Sequence, residues 1–326
     1  MSRSAILIFN PVAGQGDPDQ DLALIKQHLE PVFDLKVCQT SPEKSAEDFA
    51  EQAKAKKPKC VIVSGGDGTV SAVVSALAKT GIPVGVIPRG TANAFAQALK
   101  IPQDTIEACA IIAGGETCKI DLGYSRDRYV TLFASIGFGA EMVEKADREL
   151  KNQLGILAYF VAGIQNWLTL DRFEFEIETD ERIINGKASA IAIANAAPAF
   201  SILAQGPDNI VWDDGLLDIT LVAPEGRGSA LSASLYLLKT ALQNAEANQR
   251  KDIGYLRSRR AKITADPPQK VVIDGEMVGT TPIEISLVPQ ALTLFVPPAF
   301  KSLKSSHDAE NPENLSQFTV REKKEI

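Results

Sequence analysis

The segment 61–77 constrains the fold of this 326-residue chain more than any other. An apolar run at 61–63 and a stretch with apolar side chains at helical spacing, 70–77, are joined by Ser64-Gly65-Gly66-Asp67-Gly68-Thr69. Glycine permits positive φ and close approach of a ligand, and the free amide groups at a helix start attract anions. The layout predicts a phosphate-binding corner, where Asp67 shares a Mg²⁺ ion with the phosphate. Taken alone, the motif also fits a tight turn with a solvated aspartate.

Similar polar segments follow other predicted strands. The apolar run 82–87 ends at Arg89-Gly90-Thr91-Ala92-Asn93, and two earlier runs end at Asn10 and Thr40. Alternating strands and helices predict a parallel sheet with right-handed crossovers, and ligands of such sheets lie beyond the carboxyl ends of the strands. We therefore expect these segments to form one site. For Thr40, the region of a helix N-cap is an equal alternative.

The second half of the chain has a different pattern. Residues 172–178 alternate with period two, as in a half-buried antiparallel strand, and further strands are predicted at 129–135, 187–194, 217–222, 261–265, 270–273, 283–287 and 291–296. The sequence thus predicts an α/β domain over 1–122, completed by the chain end near 290–303, and a β-rich domain over 123–289. The polar segment 304–326 is expected to be a mobile charged tail.

Composition excludes several classes of protein. The net charge of −7 argues against a general nucleic-acid binder. The four cysteines lack metal-ligand spacing and indicate reduced thiols in a cytoplasmic protein. The two histidines are far apart in the sequence, which argues against a histidine-based metal site. Neither a signal peptide nor a clean membrane-spanning segment is recognisable.

The glycine segments resemble those of a known family. Residues 65–69 and 90–96 are similar to the nucleotide loops of the diacylglycerol kinase catalytic domain, and the bacterial YegS-type lipid kinases are the best match over the chain to about residue 300. The resemblance implies a first domain of the NAD kinase and diacylglycerol kinase type, and a β-sandwich as the second, lipid-substrate domain. It implies ATP binding by Asn10, Pro11, Gly14, Thr40, Gly65, Gly66, Asp67, Gly68, Thr69, Thr91 and Asn93.

The same resemblance implies the catalytic and metal-binding residues. Asp67 and Asp121 would lie near the catalytic Mg²⁺, and Glu276 would be the general base toward a lipid hydroxyl, a role that contributes about 10²–10⁴-fold to the rate. A structural Mg²⁺ would be bound by the Asp214 carboxylate and by main-chain oxygens of Val211 and Leu216. Without the resemblance, Asp121 reads as an exposed strand-end acid, Glu276 as a hairpin-end acid and Asp214-Gly215 as a hairpin turn.

Two positions depart from the family pattern. Gln15 stands where lysine is common, and Ala94 stands where an aspartate usually supports the Mg²⁺. Both departures keep open a nucleotide- or lipid-binding protein that has lost turnover. A soluble kinase of the NAD kinase type, which shares the Gly-Gly-Asp-Gly-Thr loop, is the other alternative.

Two segments bear on contact with a membrane. The apolar segment 154–164, preceded by Lys145, Arg148 and Lys151, reads as a core helix or as an interfacial one. A basic cluster, Lys251, Arg257, Arg259, Arg260 and Lys262, reads as a solvated face or as a surface for anionic lipid. We expect peripheral membrane contact through a lipid substrate and no nucleic-acid partner. The acceptor lipid and the oligomeric state stay open, with a homodimer as one alternative.

Overall fold

The computed structural model describes residues 3–14, 16–137, 172–196, 211–224, 250, 252–298, 300 and 313–323. The chain divides into two compact units. The first unit comprises residues 1–122 and 289–309, and the second comprises 123–288 and 310–326.

The first unit alternates strands and helices. Its elements are β1 (Arg3–Phe9), α1 (Pro18–Leu29), β2 (Phe33–Gln39), α2 (Ala46–Lys56), β3 (Cys60–Gly65), α3 (Asp67–Leu77), β4 (Val84–Pro88), α4 (Ala94–Ala98), α5 (Thr105–Gly114) and β5 (Thr117–Ser125). Strands β2, β1, β3 and β4 pair in that order, and every pair is parallel. The predicted parallel sheet is confirmed, and its strands read as continuous apolar runs because helices cover the sheet.

Local sequence signals explain where the helices begin. Asp17 caps α1 by accepting a hydrogen bond from the Asp19 amide, and Pro18 stands in the first turn. Ser45 and Asp48 form a reciprocal capping box at the start of α2. Helix α3 begins at Asp67, three residues earlier than its apolar stripe indicates. The Gly-Asp-Gly-Thr segment is therefore the first turn of a helix rather than a loop before it.

The second unit is antiparallel. Its elements are β6 (Arg128–Val130), β7 (Phe133–Ile136), β8 (Phe173–Glu178), β9 (Arg182–Ala188), β10 (Ala190–Ala194), β11 (Leu217–Val222), β12 (Ile253–Ser258), β13 (Arg260–Asp266), β14 (Lys270–Ile273), β15 (Glu276–Thr280), β16 (Ile283–Phe295) and β17 (Thr319–Glu322). One sheet has the order β12-β11-β10-β7-β14-β15, and β17, β9, β8, β13 and β16 pair in that order in the other. Buried aliphatic side chains from both sheets form one core.

Residues 129–135 form two strands rather than the single predicted one. The break falls at Thr131 and Leu132, between β6 and β7. Amide groups of Thr131, Leu132 and Phe133 all donate to the carboxylate of Asp274. This carboxylate accepts the hydrogen bonds that a neighbouring strand would otherwise accept. Because Asp274 lies 141 or more residues further along the chain, the local sequence pattern did not predict the break.

The mobile-tail prediction is wrong for residues 313–323. Strand β17 pairs antiparallel with β9, and Asn314 exchanges backbone hydrogen bonds with Tyr255 at 2.9 and 3.0 Å. The Phe318 ring lies over Gly186 and Gly254, where an added Cβ would come within 2.5 and 2.3 Å of it. The segment is ordered because two glycines make room for one aromatic ring.

Some predictions fall outside the described residues. These are the apolar segment 154–164 with its preceding cations, Lys251, Gln15, and residues 304–312 and 324–326 of the tail. Among the described helices, none has the length and apolar character needed to cross a bilayer.

Candidate active site

Two glycine turns pack against each other at the carboxyl ends of β3 and β4. A Cβ added to Gly90 would lie 2.6 Å from the Gly66 Cα, and one added to Gly65 would lie 2.7 Å from the Thr69 Cβ. Contacts this close admit no side chain. The backbones of the two turns therefore meet directly at Gly66 and Gly90, beside the start of α3.

Asp67 is the charged group of this corner. Its Oδ1 accepts a hydrogen bond from the Phe95 amide at 3.3 Å. Burial raises the pKa of Asp67, and the amides of Phe95, Ala94 and Asn93 oppose that rise. The carboxylate thus lies at the first residue of α3 and against the N-terminal amides of α4. A cation placed here would stabilise its ionised form.

Asn93 shapes the second glycine turn. Its φ is +46°, its Oδ1 accepts from the Gly90 amide at 2.7 Å, and its Nδ2 donates to Gly90 O and to Gln103 Oε1, both at 2.8 Å. These contacts use both amide hydrogens, so the predicted role of Asn93 in nucleotide binding would act through the shape of the loop. Thr91, in the same loop, is exposed.

Asn10 joins the end of β1 to the same corner. Its Nδ2 donates to Thr69 Oγ1 at 2.8 Å, and its amide donates to Ser64 O at 2.9 Å. Thr40 continues the row, because its amide donates to Phe9 O at 2.9 Å. The N-cap alternative for Thr40 is wrong, since Ser45 caps α2.

Sequence reasoning missed Arg89. Its Nε and Nη2 donate to Asp21 Oδ2 at 3.0 and 2.6 Å, and its Nη1 donates to Asn10 O at 3.0 Å. The guanidinium lies 4.5 Å from the centroid of the Phe9 ring. At Gly14, whose φ is +89°, an added Cβ would lie 3.1 Å from Arg89 O. Arg89 therefore supports the 10–14 loop, and its place directly before the Gly90 turn was the available signal.

Asp121 lies within β5, not at an exposed strand end. It is 2% exposed, and its Oδ1 accepts from the Gln290 amide at 2.7 Å. The exposed-acid alternative is wrong. The shared role of Asp121 and Asp67 at a Mg²⁺ ion stays a prediction.

The side chains of the first unit fit Mg²⁺ only if phosphate oxygens of a bound ligand complete its coordination. Within the described ranges, no three His, Cys, Asp or Glu side chains cluster as a metal site. Mg²⁺ is commonly held by one or two carboxylates, substrate phosphates and water. A half-buried Asp67 beside a glycine turn matches that arrangement.

Asp274, Gly275 and Glu276 form a tight turn between β14 and β15. Asp274 and Gly275 have φ of +49° and +85°, as a two-residue hairpin turn requires. Asp274 accepts from the Thr131 amide and hydroxyl at 2.7 and 2.8 Å and from the Leu132 and Phe133 amides at 2.9 and 3.1 Å. Burial raises the pKa of Asp274, and these donors oppose the rise.

Glu276 projects from this anchored turn. Its Oε2 lies 2.7 Å from Arg128 Nη2, and its side chain is 65% exposed. An exposed carboxylate on a fixed turn can accept a proton from a bound hydroxyl. Sequence reasoning proposed Glu276 but missed both its anchor, Asp274, and its partner, Arg128.

The predicted structural metal site contains a guanidinium. Asp214 Oδ1 accepts from the Leu216 amide at 3.0 Å, and its Oδ2 lies 3.3 Å from Arg257 Nη1. Arg257 Nε also donates to Asp218 Oδ1 at 2.9 Å. Asp218 Oδ2 is buried and has no hydrogen bond from a described group. The carboxylate oxygens of Asp214 and Asp218 are the kind of donor that a hard cation takes, and Val211 is half-buried.

The basic cluster is not a uniform cationic surface. Arg257 forms ion pairs with Asp214 and Asp218, and Arg260 Nε lies 2.7 Å from Glu284 Oε1. The described part of the cluster therefore favours a face of paired charges over a lipid-binding patch.

Both halves of the chain match known family models. Residues 4–125 match the model of the diacylglycerol kinase catalytic domain, and residues 133–296 match that of the YegS C-terminal NAD kinase beta sandwich-like domain. The chain belongs to the bacterial diacylglycerol kinase and YegS-like lipid kinase family. The predicted β-sandwich is confirmed by the second match.

Relatives of this lipid kinase family align along most of the chain. An uncharacterized Synechocystis protein is 45% identical over 308 residues, which are 91% of this chain and 71% of that protein. A diacylglycerol kinase of Bacillus subtilis is 29% identical over 288 residues, 86% of this chain and 92% of that protein. The crystal structure of a Bacillus anthracis protein superposes with a TM-score of 0.79 at 27% identity, covering 91% of this chain and 98% of that one.

Proposed function

We propose that this protein is an ATP- and Mg²⁺-dependent lipid kinase that transfers the γ-phosphoryl group to a lipid hydroxyl. The observation that carries the proposal is the pair of interlocked glycine turns with Asp67 between them. Membership of the lipid kinase family supports the same reaction. The acceptor is diacylglycerol or a related lipid, in a membrane that the protein contacts peripherally.

ATP binds along the carboxyl ends of the parallel strands. The glycine turns lie close enough to admit only backbone, so the phosphates can approach that backbone without an intervening Cβ. The residues proposed to contact ATP are Asn10, Pro11, Gly14, Thr40, Gly65, Gly66, Asp67, Gly68, Thr69, Thr91 and Asn93.

Asp67 and Asp121 hold the metal ion in this proposal. When bound, Mg²⁺ neutralises charge on the transferring phosphoryl group. Ala94 offers no carboxylate, and Asp67 instead meets the amides at the start of α4. We expect Ala94→Asp to lower the Mg²⁺ concentration needed for half-maximal activity.

Glu276 removes the proton from the acceptor hydroxyl. The hydroxyl oxygen bonds to the γ-phosphorus while the bond from that phosphorus to the β,γ-bridging oxygen breaks, and ADP leaves. The proton ends on the Glu276 carboxylate. The assignment rests on an exposed carboxylate held at an anchored turn, and on the family resemblance.

A transfer assay with radiolabelled ATP tests the proposal. Mixed lipids and NAD are offered in parallel to wild type, Asp67→Ala, Glu276→Gln and the exposed-turn control Asp180→Asn. We expect label in lipid from wild type and the control, and a loss of about 10²–10⁴-fold for Glu276→Gln. Label in NAD alone would support the NAD kinase alternative. ATP binding without transfer to any acceptor would support a binding protein.

A further inference from the structure

The β5–β6 hairpin presents two arginines toward β15. Its turn residues, Arg126 and Asp127, have φ of +49° and +60°, a two-residue turn of the kind that joins tightly twisted strands. The Tyr124 and Tyr129 rings meet edge to face, with centroids 5.2 Å apart. Ser125 Oγ donates to Glu284 O at 2.6 Å. The end of the hairpin, residues 123–130, is therefore held in a defined place within the second unit.

Arg126 clasps the backbone of β15. Its guanidinium donates to Val278 O, to Thr280 O at 2.5 Å and to Pro282 O at 3.2 Å. Among the described strands, β15 is the last in its sheet. The Arg126 guanidinium supplies donors to its carbonyl groups in a fixed fork. Gly279, at φ +115°, makes space for the Arg126 guanidinium, because an added Cβ would lie 2.6 Å from Arg126 Nη1.

Arg128, two residues later, reaches the side chain at the start of β15. Its Nη2 lies 2.7 Å from Glu276 Oε2, and the two side chains are 40% and 65% exposed. An ion pair this exposed contributes little to fold stability. It does restrict a glutamate that would otherwise sample many rotamers.

We propose that Arg128 is a positioning residue for Glu276, an inference that rests on the proposed role of Glu276 as base. The guanidinium holds Oε2, which leaves Oε1 to accept the proton of the lipid hydroxyl. Arg126 fixes the strand from which Glu276 projects, and Arg128 fixes the Glu276 carboxylate. One hairpin therefore positions both the backbone and the side-chain end of this residue. Misplacement of a reacting group by about 1 Å costs about 10²-fold.

Steady-state kinetics of purified full-length variants test this positioning role. Arg128→Ala should lower kcat about 10- to 100-fold while KM for ATP changes by less than about twofold, because Arg128 contacts the base and not the nucleotide. Arg128→Lys should recover part of kcat, since lysine keeps the charge but loses the fork. In a Glu276→Gln background, Arg128→Ala should change kcat by less than about twofold, because residues that act as a unit are not additive.

Lys187→Ala is the matched control. Lys187 Nζ lies 2.9 Å from Glu174 Oε1, and both side chains are exposed; kcat should be unchanged. Unaltered kcat in Arg128→Ala, or an equal loss with and without Glu276, would overturn the positioning role. Full activity of Glu276→Gln would instead overturn the base assignment itself. An inactive Glu276→Gln beside a fully active Arg128→Ala would leave the proposed function standing and remove only the positioning role.

Discussion

Replacing Asp274 with alanine should destabilise the second unit strongly. The carboxylate accepts four hydrogen bonds from the break between β6 and β7. Thr131 and Leu132 are 2% and 5% exposed, so water cannot replace the lost acceptor without rearrangement. The substitution leaves buried donors unpaired, and the free-energy penalty of an unpaired buried donor exceeds the net contribution of a hydrogen bond to stability.

The magnitude follows from the donors. Each buried unsatisfied amide costs about 1–3 kcal/mol, and the Thr131 and Leu132 amides together give about 2–6 kcal/mol. The Thr131 hydroxyl can rotate and the Phe133 amide is less buried, so their contribution is smaller. We expect about 4 kcal/mol for Asp274→Ala. Asp274→Asn keeps one acceptor oxygen and should cost about half as much.

Urea unfolding, followed by the fluorescence of buried Trp212, measures these free energies. Asp180→Asn, an exposed turn acid, is the control and should stay within about 0.5 kcal/mol of wild type. A loss below about 1 kcal/mol for Asp274→Ala, or a greater loss for Asp274→Asn, would show that this carboxylate does not anchor the break.

Three further predictions concern the first corner and the C-terminal segment. Burial raises the pKa of Asp67 above 3.8, so the carboxylate increasingly destabilises the ligand-free fold as pH rises above 3.8, and the effect is complete once pH exceeds the folded-state pKa. Asp67→Asn should therefore raise Tm at pH 7, the gain should vanish toward pH 3.8, and transfer should be lost. Arg89→Lys keeps the charge but loses the fork that spans Asp21 and Asn10, so KM for ATP should rise about tenfold in steady-state assays. Phe318→Ala empties the space over two glycines and should lower the free energy of unfolding by about 2–3 kcal/mol in urea.

Each of these predictions has a contrary result. A Tm gain for Asp67→Asn that persists at pH 4 would assign the effect to packing, not to ionisation. An unchanged KM for ATP in Arg89→Lys would separate the 10–14 loop from nucleotide binding. A Phe318→Ala protein as stable as wild type would mean that residues 313–323 add nothing to the fold.

The order of strands and helices was predictable because it depends on apolar patterns over a few neighbouring residues. Period-two alternation marked β8, and continuous apolar runs marked β1 and β3. The start of α2 also depends on a short-range contact, the capping box between Ser45 and Asp48. The break at Thr131 was not predictable, since it depends on a carboxylate more than 140 residues away. Phe318 was missed for the same reason, because two distant glycines create its place.

The candidate site shows the same division. The local glycine turn singled out Asp67, whereas Glu276 was singled out by the family resemblance, because its Asp-Gly turn alone reads as an ordinary hairpin. Arg128 carries no such signal, and Arg89 offers only its place directly before the Gly90 turn, because the role of an arginine depends on which groups its guanidinium contacts.

The sequence by itself determined the parallel first half, the antiparallel second half and the kind of chemistry that its glycine turns can support. Only the tertiary structure decided which side chains support the site: Arg89 holds the 10–14 loop, Asp274 anchors the turn that carries Glu276, and Arg128 pairs with Glu276. The physical reason is range. Backbone preference and apolar period act over a few residues, whereas a hydrogen bond or an ion pair joins groups that only the folded chain brings together.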